Sequence, residues 1–311
     1  MLDQVLSRSN LIDAWEEVRA NKGAPGSDAV TLKRWGRNWE TNLERLRQQV
    51  RTNTYHPNRP RRFKVLKKDS TFRELSILTV TDRVLQRAVL NVLEPICEQR
   101  FLNCNFGYRP RRSVANAITS VVRWRERGCG WLLDADIEKC FDSLEHALIL
   151  ELLKPDVPDV MVLNLIARWL KAGTKPTPSS APPRCDRGEG RVGVPLGAVL
   201  SPLLCNVVLH EMDAALTRAG WALVRYADDF VVLTHSEAEA QQAARETAAA
   251  LRDLKLNLHP HKTQITSFTQ GFCFLGVDFK DDTYAYVYQQ KQIKVKGPNT
   301  RFLYDHWPQF Y

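Results

Sequence analysis

Two adjacent carboxylates, Asp228 and Asp229, stand between two apolar runs in WALVRYADDFVVLT, residues 221–234. Each run has the length and the branched or aromatic content of a strand. The break falls at the acidic pair, so the segment predicts a β-hairpin with Ala227, Asp228 and Asp229 near its tip. Carboxylates buried there without partners would be costly. Either the tip displays them to solvent, or other groups gather around them.

A second acidic strand end favours gathering. WLLDADIEKCFDSL, residues 131–144, reads as a buried strand turning into a helix near Ser143. Asp134 and Asp136 are two apart and share one face of that strand, with Ala135 on the other. After the 221–234 hairpin, SEAEAQQAARETAAALRDLKL predicts an amphipathic helix starting at Ser236, with Glu237 and Glu239 suited to its first turn. GFCFLGVDF, 271–279, predicts another hairpin. The resulting β-α-β-β-α-β order is that of a ferredoxin-like split unit, an α/β (α+β) fold with an antiparallel sheet. In such a sheet the end of the first strand lies beside the central hairpin, which brings Asp136 next to Asp228 and Asp229.

A carboxylate cluster of that kind suits hard divalent cations. Mg²⁺, with Mn²⁺ as the alternative, takes carboxylate oxygens together with waters and substrate phosphates. Two such ions about 4 Å apart can activate an attacking hydroxyl and stabilise a leaving pyrophosphate. The chemistry is nucleotidyl transfer to a primer 3′-hydroxyl. Asp136 and Asp228 are the expected main ligands. Asp229 is a weaker third, because an adjacent strand residue points the other way.

Charge points to the same class of partner. The 311 residues carry 44 Lys and Arg against 35 Asp and Glu, a net charge of +9. Ten of those cations fall within residues 45–75, opposed only by Asp69 and Glu74. FKVLKK and FRELSIL flank a polar turn there and predict a strand pair whose basic side chains, Arg61, Arg62 and Lys64 among them, contact nucleic-acid phosphates. Solubility alone is the bland alternative. Arg73 and Lys67 are candidates to hold a triphosphate, Arg being better suited to bidentate contact. The seven cysteines include no CxxC pair, as for reduced thiols in the cytoplasm, and no 18-residue apolar run predicts a membrane span.

Three other positions carry weaker signals. Phe141, five residues after Asp136, could close the space beside a sugar 2′-hydroxyl, or could be a core aromatic. Lys262 in LNLHPHKTQI could neutralise departing pyrophosphate, or could be a surface residue. His259 and His261 have no nearby third and fourth ligands for zinc. GxxxxGK[ST] does not occur, and the GxGxxG match at 188–193 begins in the Pro- and Gly-rich stretch rather than between a predicted strand and helix, so phosphate chemistry here would be led by metal rather than a glycine cradle. Helices are predicted at 38–52, 81–94, 113–126 and 158–170. The Pro- and Gly-rich stretch 171–190 predicts a flexible loop.

Together these stretches resemble the reverse transcriptases, most closely the group II intron-like bacterial branch. RYADDFVVL (225–233) resembles its YADD box and DADIEKCFDSL (134–144) its first catalytic-aspartate box. LNLHPHKTQI resembles its late lysine box, and GFCFLG (271–276) its primer-gripping hairpin. GYRPRRSVANAI (107–118), which contains Arg109, and AWEEVRANKGAPGSD (14–28) resemble its N-terminal boxes.

The resemblance implies a right-hand polymerase with fingers over 1–125, including an N-terminal extension, and a palm over 126–280. Residues 281–311 would be a tail too short for a complete thumb. It implies catalytic roles for Asp136, Asp228 and Asp229 and a 2′-hydroxyl gate at Phe141. Arg73 would contact the triphosphate, Lys262 would be the late palm lysine, and Arg109 would contact nucleic acid. The implied partners are an RNA template, a DNA or RNA primer and deoxynucleoside triphosphates. Compact relatives work beside CRISPR integrase proteins, and others serve phage defence.

Two departures stand out: the usual PQG turn is Pro195-Leu196-Gly197, and the usual Arg-Pro-Leu triplet is Arg73-Glu74-Leu75. Leu196 lacks the amide that would contact the template. The competing classes are a terminal transferase or primase-like enzyme and a non-catalytic nucleic-acid-binding module.

Overall fold

Apolar spacing sets the N-terminal helices. After α1 (Leu2–Val5), α2 (Arg8–Ala20) starts where the Ser7 side chain accepts the Asn10 amide, and it buries Leu11, Ala14, Trp15 and Val18. α3 (Leu32–Gly36) and α4 (Trp39–Arg51) follow, with Leu43, Leu46 and Val50 forming the buried stripe of α4. The computed structural model describes residues 1–66, 72–174, 191–301 and 303–306. β1 (Arg61–Leu66) and β2 (Phe72–Ile77) pair antiparallel, from Arg61↔Ile77 to Leu66↔Phe72. Their connection, with Lys67, lies outside the described residues.

The helix expected to stop before Pro95 does not. α5 runs Val80–Arg100 with Pro95 inside it, because Leu93 and Cys97 on either side are both buried and packing carries the helix across the proline. α6 (Val114–Glu126) opens with a capping box between Ser113 and Asn116. β3 (Trp131–Asp136) follows. The helix expected near Ser143 is divided into α7 (Cys140–Ser143) and α8 (His146–Leu153), and α9 (Val160–Gly173) comes next. Most of the 171–190 loop, from 175 on, lies outside the described residues. The chain continues through α10 (Ser201–Arg218), β4 (Ala222–Tyr226), β5 (Asp229–Thr234), α11 (Glu237–Asp253) and β6 (Gln264–Ser267). It then forms β7 (Phe272–Phe274), β8 (Val277–Lys280), β9 (Thr283–Tyr288), β10 (Lys291–Lys296) and α12 (Leu303–His306).

Two compact units result: Met1–Gln99 with Phe141–Val207, and Arg100–Cys140 with Val208–Tyr311. The first is mostly helical and carries the largely exposed β1–β2 pair. Its interior holds Asp82, which accepts the Tyr55 hydroxyl at 2.5 Å, the Thr79 hydroxyl at 2.6 Å and the Asn58 amide at 3.2 Å. Trp169 Nε1 donates to Tyr55 Oη at 2.8 Å, so one buried carboxylate ties α5 to α9 and to the segment before β1.

The second unit holds an antiparallel sheet of order β4-β5-β3-β6. α11 packs on β3, β5 and β6, burying Ala240, Ala243, Thr247 and Leu251. Ile118 and Val121 of α6 join Leu132, Val224, Val231 and Leu233 in one core. That core extends into a second sheet of order β10-β9-β8-β7 through Phe272, Phe279, Tyr284 and Tyr286. Residues 283–296, expected within a tail, are therefore a hairpin that buries Tyr284 and Tyr286. Among the described residues no helix is long and apolar enough to cross a membrane.

Candidate active site

The carboxylates meet at the ends of the two central strands of the second unit. β4 and β5 are joined through Ala227 and Asp228, with Tyr226 paired to Asp229. On the other side of β5 the register places Asp136, the last residue of β3, directly opposite Asp229. Directly opposed residues share a sheet face. Asp229, the weaker third ligand by sequence, is thus the cross-strand neighbour of Asp136. Asp134 lies two residues back on the same strand face, and its Oδ2 accepts Gln264 Nε2 at 3.0 Å.

Crowding leaves an electrostatic mark. Burial pushes the Asp229 carboxyl up to about 7, and Asp134, Asp136 and Asp228 push the same way while Lys262 opposes them. Burial also raises Asp134, with Asp136 adding to it and the Gln264 hydrogen bond opposing. Lys262 Nζ lies 2.7 Å from Asp136 Oδ2. The loop that carries Lys262 is laid along the strand end: His259 N donates to Asp136 O at 2.8 Å and Glu138 N to Asn257 O at 2.9 Å. Among the described residues, Lys262 answers part of the site's excess of negative charge. Among the described residues, no three His, Cys, Asp or Glu side chains are arranged to hold a metal by themselves.

The remaining candidates in the second unit divide. Lys262 is in the cluster. Arg109 is 6% exposed, and its guanidinium donates to the main-chain carbonyls of Leu102, Asn105 and Phe101. The nucleic-acid contact expected of it meets a side chain already committed to holding a loop.

In the first unit, Phe141 is half-buried and its carbonyl accepts Val194 N at 2.7 Å. Leu196 offers its carbonyl to Ser76 N on β2 at 2.8 Å. A Cβ on Gly197, whose φ is +99°, would come within 2.7 Å of Ser76 O. The main chain therefore fixes this turn against β2 whatever side chain stands at 196. Arg61, Lys64 and Arg73 are exposed on the hairpin. Arg62 is not free in the same way: it donates to Gly173 O at 2.6 Å and pairs with Glu74 at 3.5 Å. The negative charge of Glu74 is thereby answered locally.

Sequence reasoning missed Arg225 and Asp213. Arg225 is 0% exposed in a strand that is otherwise apolar, and its Nε lies 2.7 Å from Asp213 Oδ1. A lone arginine inside ALVRY was the available signal.

An antiparallel sheet thus carries carboxylates crowded at the ends of its two central strands. An apo telomerase from Candida tropicalis, truncated from its C-terminal domain, shares the fold: the match covers 71% of this chain and 53% of that one, with a TM-score of 0.51 and 12% identity. The chain belongs to the reverse transcriptase (RNA-dependent DNA polymerase) family, whose profile matches residues 65–279. It is 30% identical to protein YkfC of Escherichia coli K12, over 86% of this chain and 79% of YkfC. It is 27% identical to the group II intron-encoded protein LtrA of Lactococcus lactis subsp. cremoris, over 86% of this chain. The chain spans 54% of the length of LtrA.

Proposed function

We propose that the protein is an RNA-directed DNA polymerase, adding deoxynucleotides to a primer 3′-hydroxyl on an RNA template. The observation that carries this reading is the juxtaposition of Asp136 with Asp229, beside Asp134 and Asp228, in a family whose activity is nucleotidyl transfer. A carboxylate whose proton affinity is raised by burial and by its carboxylate neighbours, as at Asp229, belongs to a donor set that a divalent cation relieves. Asp136, Asp228 and Asp229 would hold Mg²⁺ or Mn²⁺, which when bound supplies charge for the attacking and leaving oxygens. Their number suits Mg²⁺, which is held by few carboxylates and completed by water and phosphate.

The chain's own residues do the rest. Lys262, ion-paired to Asp136, offers a cation for pyrophosphate as it leaves. In the first unit, Arg73 is assigned to the triphosphate and Phe141 to exclusion of a 2′-hydroxyl. Arg61 and Lys64 are assigned to the nucleic-acid backbone, Lys67 to the triphosphate, and Leu196 to the template turn. Residues 1–125 act as fingers and 126–280 as palm.

The test is primer extension on an RNA template with Mg²⁺ or Mn²⁺, run beside Asp228→Ala. The expected result is template-dependent DNA product that the variant loses, while primer–template binding stays within a few-fold. Product without a template would point instead to a terminal transferase. Full extension by Asp228→Ala would overturn the carboxylate assignment.

A further inference from the structure

The turn that carries Asp228 and Asp229 has an unusual conformation for its sequence. Ala227 has a φ of +60°, a left-handed value that is costly for a non-glycine residue and is held here by its surroundings. Those surroundings are built from two sides.

From one side comes a fully buried ion pair. Asp213 of α10 receives Nε of Arg225 at 2.7 Å and Nη2 at 2.5 Å, with both side chains at most 1% exposed. The two carboxylate oxygens orient the guanidinium so that Nη1 donates to the Ala227 carbonyl at 2.8 Å. Apolar side chains of similar volume could fill this space at no loss of stability. What they could not supply is an N–H aimed at that carbonyl. Lysine could not supply a planar fork that satisfies the carboxylate and the turn together.

From the other side comes the segment before the GYRPRR box. Arg225 N donates to Cys104 O, and Phe106 N donates to Arg225 O, each at 2.8 Å, so residues 104–106 cover the outer edge of β4. Gly107 then passes so close to the turn that a Cβ would lie 2.3 Å from Ala227 N and 2.9 Å from the Tyr226 carbonyl carbon. Arg109 gathers the carbonyls of Phe101, Leu102 and Asn105 and so fixes this segment.

We infer that Arg225, Asp213 and Gly107 are positioning residues that set the shape of the Tyr226–Asp229 turn and thereby place Asp228 and Asp229 for metal binding. The inference rests on the carboxylate site proposed above. Asp213 and Arg225 are fully buried, and none of the three is assigned a contact with substrate. Each acts on the main chain of the turn, where small displacements at the reacting centre are amplified in rate.

The experiment uses the full chain and four variants: Gly107→Ala, Arg225→Lys, Asp213→Asn and, as a control, Gly220→Ala. Gly220 also has a positive φ, +89°, but nothing within 4 Å of its Cβ position, so its substitution strains the fold without pressing on the turn. Mn²⁺ binding is read by electron paramagnetic resonance, together with thermal melting and the kcat and KM of primer extension. Gly107→Ala and Arg225→Lys should weaken Mn²⁺ binding by about 10-fold or more, as loss of supporting contacts does at other metal sites. They should lower kcat by about 10-fold or more with the deoxynucleotide KM within about 3-fold. Gly220→Ala should lower the melting temperature with Mn²⁺ affinity unchanged.

Wild-type Mn²⁺ affinity in folded Gly107→Ala or Arg225→Lys would overturn the inference, as would an equal loss of affinity in Gly220→Ala. If one variant does not fold, the other decides, since Arg225 acts on the Ala227 carbonyl and Gly107 on the Tyr226–Ala227 peptide. Wild-type protein that binds Mn²⁺ through these carboxylates but extends no primer would sink the polymerase reading and leave the positioning inference to be decided by Mn²⁺ binding. Wild-type protein that binds no more Mn²⁺ than Asp228→Ala would overturn the positioning inference itself.

Discussion

Asp136 and Asp229 are directly opposed on the β3–β5 ladder, and the pair is where the sheet concentrates its negative charge. Burial raises the proton affinity of Asp229 first, and the neighbouring carboxylates add to it. In the unfolded chain Asp229 loses its proton near its ordinary value of 3.8, whereas in the folded chain it keeps it up to about 7. The unfolded state is therefore the first to release the proton, and the fold loses stability as pH rises from about 4 to about 7.

Asp229→Asn removes that loss. In metal-free buffer the variant should be more stable than wild type by on the order of 2–4 kcal/mol near pH 8, and by less near pH 5. Urea unfolding at the two pH values measures the difference. An advantage that does not change with pH would show that Asp229 is not the group held protonated.

Phe141 tests the substrate assignment. Its carbonyl is held by Val194 N, so the main chain at this position is set independently of the ring. Phe141→Val should then change selectivity with little change in fold. The ratio of kcat/KM for ribonucleotide over deoxynucleotide is expected to rise by about 10- to 100-fold. An unchanged ratio would return Phe141 to the status of a core aromatic.

The basic hairpin separates two kinds of arginine. Arg61 and Lys64 are exposed, while Arg62 is bound to Gly173 O and Glu74. Neutralising Arg61 and Lys64 together should weaken primer–template binding and reduce the slope of log affinity against log salt by about 1–2. Arg62→Gln should leave that slope alone and lower stability by about 1 kcal/mol through the lost carbonyl contact. Binding titrations over a series of salt concentrations distinguish the cases, and an unchanged slope in the double variant would remove the hairpin from the nucleic-acid surface.

Local pattern made the carboxylate site legible. The apolar runs around Asp228 and Asp229, and the alternation in WLLDAD, are read within a few residues, and they led to the strand pairing that sets Asp136 beside Asp229. What escaped depends on packing between distant residues. The resemblance of the GYRPRR box assigned Arg109 to nucleic acid, yet its partners include carbonyls that only the folded loop brings together. Asp213 and Arg225 lie on a helix and a strand with no local sign that they pair. The β9–β10 hairpin escaped for a different reason. Its two turn residues are Gln289 and Gln290, with φ of +47° and +63°, where glycine or asparagine would have announced the turn. In β7–β8 the equivalent turn is Leu275-Gly276, and the glycine is there to be read.

That second hairpin sets a lower limit on how far the protein can be trimmed. The family profile stops at residue 279, and a catalytic fragment cut there would look complete by its motifs. It would lack Tyr284 and Tyr286, both 2% exposed, and would lay open Phe279, whose ring stacks on Phe272 with centroids 4.9 Å apart. Aromatic rings of this size hide about 150–250 Å² each when buried. A minimal fragment drawn from the motifs alone would therefore carry a sticky apolar face and an unpaired β8 edge, and self-association would be mistaken for lost catalysis.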